Sequence, residues 1–90
     1  MVDLNWDLVG FIKRSKNRQK VLTILETPLT PSDIAKRLKI SLTHASQIVR
    51  ELNSKKLIKC LNEDLSMGRI YQKTKEAKRI MDYLNKTKEI

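Results

Sequence analysis

Ninety residues suffice for one small domain, and nineteen Lys and Arg against ten Asp and Glu leave a formal charge of +9 at pH 7, the electrostatic footprint of a domain that binds polyanions. An apolar content of 40% excludes a disordered basic tail; one cysteine, Cys60, excludes a bridge-stapled secreted scaffold, and one histidine, His44, leaves too few ligands for a structural zinc site. The longest apolar run, Leu8 to Ile12, falls far short of the roughly 20 residues of a membrane span, and the acidic Asp3 and Asp7 fit no signal peptide, so a soluble, cytoplasmic chain without membrane association is expected.

An N-terminal helix is expected over about 3–13, with Leu4, Leu8, Phe11 and Ile12 as its apolar strip. A basic run follows, in which Lys13, Arg14, Lys16, Arg18 and Lys20 have no acid between them. The second helix, about 15–26, starts from Ser15 as N-cap and gathers Val21, Leu22 and Leu25 on one face. Thr27 and Thr30 each precede a proline, which disfavours helical backbone and makes both extended. Pro31 suits the first position of a third helix, and Thr30 with Asp33 has capping-box spacing. That helix is short, with Ile34, Ala35 and Leu38 along its buried edge.

After the turn Lys39-Ile40, Ser41 caps a fourth helix in which Ala45, Ile48, Val49 and Leu52 recur at i, i+3, i+4 and i+7. The periodicity then changes. Leu57 to Leu61 reads as a strand and Arg69 to Gln72 as its antiparallel partner, joined through Ser66-Met67-Gly68. Thr74 caps a last helix carrying Ala77, Ile80, Met81 and Leu84. The fold class is mainly α with a small β-hairpin. It forms one domain over 1–90, with an N-terminal helix in 3–14, a core in 15–73 and a C-terminal helix in 74–88.

Two short helices joined by a tight turn, the second strongly amphipathic, make a helix-turn-helix, and the hairpin after them makes it winged. The run from Thr30 to Thr74, with "SDIAKRLKIS", "ASQIVRELNSKKLI" and "GRIYQKT", resembles the winged helix-turn-helix of MarR/ArsR-like transcriptional regulators, in particular their compact archaeal members. Lys39, Lys56 and Ala77 depart from that pattern, where glycine is usual. The resemblance implies a DNA-binding fold whose wing brings a basic residue, here Arg69, to the minor groove or the backbone. It also implies a homodimer paired through the terminal helices, for which Leu4, Leu8, Phe11, Ile80, Tyr83 and Leu84 are the candidate contacts.

Helical geometry supplies the remaining candidates. With Ala45 turned to the core, Thr43, Gln47, Arg50 and Ser54 occupy the opposite side of the fourth helix, flanked by His44 and Ser46, with Ser41 at its start. Arginine pairs with guanine O6 and N7, glutamine with adenine N6 and N7, and hydroxyls with either partner. Lys55, Lys56 and Lys59 are candidate phosphate contacts, and Lys16, Arg18, Lys36 and Arg37 candidate contacts to flanking phosphates. His44 reads as a helix-start or phosphate-contacting residue rather than a metal ligand, and Cys60 as a small hydrophobe facing inward with Ile58. Glu63 and Asp64 argue against a uniformly basic wing, and the scattered Trp6, Phe11, Tyr71 and Tyr83 form no stacking platform for unpaired bases.

These features predict a sequence-specific double-stranded DNA-binding transcriptional regulator, with residues 42–54 in the major groove and the wing, 58–72, on the minor groove or backbone. The alternative is a winged helix serving protein interaction or general transcription, with weak nucleic-acid binding. No Gly-rich phosphate loop and no nucleophile–base constellation point to an enzyme or a cofactor, and no residue group announces an effector.

Overall fold

The computed structural model describes residues 4–86, which fold as α1 (Trp6–Lys13), α2 (Lys16–Ile24), α3 (Pro31–Leu38), α4 (Leu42–Ser54), β1 (Ile58–Cys60), β2 (Tyr71–Lys73) and α5 (Lys75–Lys86). The element order is the expected one. α1 begins later than the apolar strip suggests, because the Asn5 side chain accepts from the N–H groups of Asp7 and Leu8 and so caps the helix there. Residue 3 of the expected first helix and residues 87 and 88 of the last lie outside the described residues.

Side-chain caps set the other helix starts. Ser15 Oγ accepts from Arg18 N–H at 3.3 Å and Ser41 Oγ from His44 N–H at 3.0 Å. Thr30 and Asp33 form the reciprocal capping box with Pro31 in the first turn. The helix ends are equally specific. Lys39 and Lys56 both stand in the left-handed region, at φ 57° and 59°. Lys56 closes α4 with a Schellman turn, in which Leu57 N–H bonds Leu52 O at 3.0 Å and Lys56 N–H bonds Asn53 O at 3.0 Å. At the end of α3 the Ile40 N–H reaches back to Ala35 O at 3.0 Å in the same way.

One continuous apolar core joins all five helices and the hairpin: Ile12, Val21, Leu22, Leu25, Ile34, Leu52, Leu57, Ile58, Ile80 and Leu84 are each almost completely buried. The buried residues among those described are all apolar, and the Lys73 side chain, 8% exposed, is paired with Glu26, so the fold rests on apolar burial, at about 25 cal/mol per Å². Ile80 and Leu84 correct a sequence expectation. Their i, i+4 spacing turns them into the chain's own core at 0% exposure, so neither is available to face a second copy.

The hairpin pairs Ile58 with Lys73, Lys59 with Gln72 and Cys60 with Tyr71. A third strand position, which the sequence reading missed, adds to it. Leu29 and Tyr71 exchange both backbone hydrogen bonds, at 3.0 and 2.8 Å, across an isolated bridge. The extended Pro28-Leu29-Thr30 segment between α2 and α3 thereby clamps the hairpin to the helix-turn-helix.

Candidate nucleic-acid interface

α4 presents one exposed side to solvent and is built as its spacing predicts. Ala45, Ile48, Val49 and Leu52 are buried, while Thr43, His44, Gln47, Arg50 and Ser54 are exposed. The Ser41 hydroxyl is engaged by its capping bond, and the Ser54 hydroxyl donates to Glu51 O at 2.7 Å, which turns it away from external partners. Ser46 is half-buried because it faces the wing.

Between α4 and the wing runs a groove of about 290 Å³, lined by Ser46, Arg50 and Asn53 of α4, by Arg69 and Tyr71 of the wing, and by Pro31. The structure thus brings Arg50 and Arg69, two sequence-predicted cations, to one groove. Asn53 was missed by the sequence reading, although its place seven residues after Ser46 puts it on the same helical row. Leu42 was also missed. At 53% exposure it offers an apolar contact at the start of the helix.

The loop of the wing is ordered by its own side chains. Asn62 Oδ1 accepts from Ile70 N–H at 2.9 Å and from the Cys60 thiol at 3.4 Å, while Asn62 Nδ2 donates to Gly68 O at 3.2 Å. Gly68 takes φ +69°, which suits glycine at this tight turn. Arg69 is exposed, and its guanidinium folds back onto its own loop. Its Nε donates to Leu65 O and its Nη2 to Glu63 O at 3.1 Å, so the guanidinium braces the loop.

Other predicted cations lie elsewhere. Lys59 projects from the opposite side of the hairpin, into a groove shared with Glu26, Gln72, Lys73 and Lys78, away from Arg50. Lys55 lies at the far end of α4, about 20 Å from Ser41 at 1.5 Å per residue, with its Nζ 5.5 Å from the Phe11 ring centroid. Lys56 is exposed beside it. Arg18 is a correction, because its guanidinium is committed to Phe11 and Glu51 instead of facing outward.

Two carboxylates are held below their ordinary range, each by a local contact. Asp33 is lowered by the Thr30 backbone N–H and then by the Thr30 hydroxyl, and Glu26 by its hydrogen bond and 2.8 Å ion pair with Lys73. Neither carboxylate lies on the α4 face. Among the described residues no group of three His, Cys, Asp or Glu is placed to hold a metal ion, and no helix is long and apolar enough to cross a membrane.

No protein-family model matches the sequence, and no curated protein matches it. Solved structures do match in shape. A mutant MarR from Escherichia coli complexed with operator DNA superposes with a TM-score of 0.73 at 20% identity, covering 87% of this chain and 58% of that one. Wild-type ZitR of Lactococcus lactis in complex with DNA gives 0.67 at 23% identity, covering 81% and 51%. ZitR described as a zinc-responsive MarR family member gives 0.68 at 22%, covering 83% and 54%. The chain therefore spans little more than half the length of the structures it matches. At this identity the likeness is one of architecture: residues 4–86 have the winged helix-turn-helix fold found in MarR-family regulators.

Proposed function

We propose that this protein is a sequence-specific double-stranded DNA-binding transcriptional regulator, acting in the cytoplasm without catalytic activity. The observation that carries the reading is the exposed row Thr43, Gln47 and Arg50 on a helix whose opposite side is anchored in the core. A two-helix unit with this geometry offers its second helix to the major groove. Arg50 and Gln47 are proposed to read base edges, with Thr43, Ser46 and His44 beside them and Asn53 at the wing-side edge. The surrounding lysines neutralise phosphates and release counterions. The MarR and ZitR structures of this fold that contain DNA support the same use.

A homodimer forms part of the proposal, with its contacts revised to Leu4, Trp6, Leu8, Phe11 and Tyr83. Trp6 is 61% exposed and packs edge-on against Tyr83, with ring centroids 5.4 Å apart. These rings border an open groove of about 440 Å³ between α1 and α5. Two such surfaces related by a two-fold axis suit a palindromic operator.

Selection of duplexes from a random-sequence pool tests the whole reading. The expected result is a motif of paired half-sites, bound with an affinity that falls steeply with salt. Recovery of no common motif, or binding that salt leaves unchanged, would overturn it.

A further inference from the structure

The loop of the wing presents apolar side chains where a cationic finger was expected. Residues 61–70 contain one cation, Arg69, and two acids, Glu63 and Asp64, so the loop carries a net charge of −1 and has no electrostatic pull toward phosphates. Arg69 is held against the carbonyls of Leu65 and Glu63. The most exposed of its large apolar side chains is Met67, at 84%, with Leu61 and Leu65 at 44% and 46%. The next residue, Gly68, adds no side chain and borders open space, with no atom within 4 Å of where a Cβ would stand.

Resting on the DNA-binding reading above, we infer that Met67 is the wing's contact with the duplex, an apolar wedge that enters the minor groove and partly unstacks one base step. Two observations and one general property favour a duplex as the occupant. Arg69 and Tyr71, at the foot of the loop, line the same groove as Arg50 and Asn53, so the loop rises beside the surface that α4 presents. The Asn62 and Arg69 hydrogen bonds pre-order the loop, so little freedom remains to be lost when it inserts. Methionine is among the side chains that open base steps from the minor groove, and pyrimidine–purine steps yield most readily. Specificity at the wing then comes from the deformability of a step, not from hydrogen bonding to a base.

The test uses the full chain with a duplex recovered by the selection above, carrying 2-aminopurine in turn at each adenine flanking the major-groove half-site. The wild-type chain is expected to raise the fluorescence at one flanking step. Met67→Leu keeps that rise, whereas Met67→Ala loses it and binds about tenfold more weakly, with an unchanged salt dependence. Equal fluorescence with wild type and Met67→Ala would overturn the wedge while leaving DNA binding intact. A partner protein captured through Met67, with no base step disturbed, would overturn it too. A chain that selects no duplex would remove the wedge together with the reading beneath it.

Discussion

Arg18 joins α1 to α4 by gripping Phe11 on one side and Glu51 on the other. Its guanidinium carbon stands 3.8 Å from the Phe11 ring centroid, Nη1 donates to Phe11 O at 2.8 Å, and Nη2 donates to Glu51 Oε1 at 3.3 Å. One side chain of α2 therefore satisfies a carbonyl near the end of α1 and pairs with a carboxylate on α4. Replacing Arg18 by Ala should cost about 2 kcal/mol, through the charge-assisted bonds and the ring contact together. Glu51→Ala should cost less than about 1 kcal/mol, because that carboxylate is more than a third exposed and solvent screens the pair. Urea midpoints measure both. Equal effects from the two substitutions would show that the Phe11 contacts contribute nothing.

Lys39 offers a gain instead of a loss. A lysine at φ 57° carries the strain of a left-handed residue, and glycine relieves it. Lys39→Gly should raise stability by about 1 kcal/mol, or about 4–8 °C in Tm for a domain of this size. Lys39→Ala is the control, since it removes the charge but keeps the Cβ, and it should give no increase. A rise of the same size in the alanine variant would trace the effect to charge repulsion.

The proposed role of Arg50 in base reading separates from folding. It is exposed on α4 and lines the groove opposite Arg69. Arg50→Ala should leave thermal unfolding unchanged, weaken binding to a selected duplex by about 1–3 kcal/mol and relax discrimination at one base position. Binding profiles on a panel of single-base variants read this directly. A uniform loss across the panel would reassign Arg50 to a phosphate.

The capping box gives a pH dependence of known sign. The Asp33 carboxylate accepts the Thr30 N–H, while its own N–H donates to the Thr30 hydroxyl, only in the folded chain, and its pKa is held below the ordinary aspartate range. A group whose folded pKa is depressed contributes stability above its unfolded pKa, and the contribution is lost as pH falls through the folded value. Acid denaturation should therefore be less steep in Asp33→Asn than in the parent. The stability gap between parent and variant should be full and constant near neutrality, and should close as pH falls from the ordinary aspartate range through the depressed folded value. Parallel curves throughout would show that the carboxylate is not held by the cap.

Local chemistry made most of the helices legible. Ser15, Thr30 and Ser41 are caps at the positions the sequence announces, and the Ala45–Leu52 stripe separates the exposed row of α4 from the core without ambiguity. Long-range choices were not legible. Whether Ile80 and Leu84 face a partner or their own core depends on which helices pack beneath them, and spacing alone is the same in both cases. Arg18 looked like one more surface cation because nothing local connects residue 18 to residue 51. The bracing of the loop by Arg69 was hidden for a related reason: its partners, the carbonyls of Leu65 and Glu63, are backbone groups that every sequence possesses. The Leu29–Tyr71 bridge was equally hidden, since two extended residues between two prolines have no strand periodicity to detect.

That bridge has a mechanical corollary. With Leu29 and Tyr71 sharing two backbone hydrogen bonds and Thr74 tied to the carbonyls of Lys56 and Leu57, the helix-turn-helix and its flanking hairpin are riveted at both ends. Such a frame has a fixed gauge. Under the proposed function, a duplex of the wrong width would have to twist, bend or compress to fit, which would favour sequences that flex easily even at positions no side chain touches.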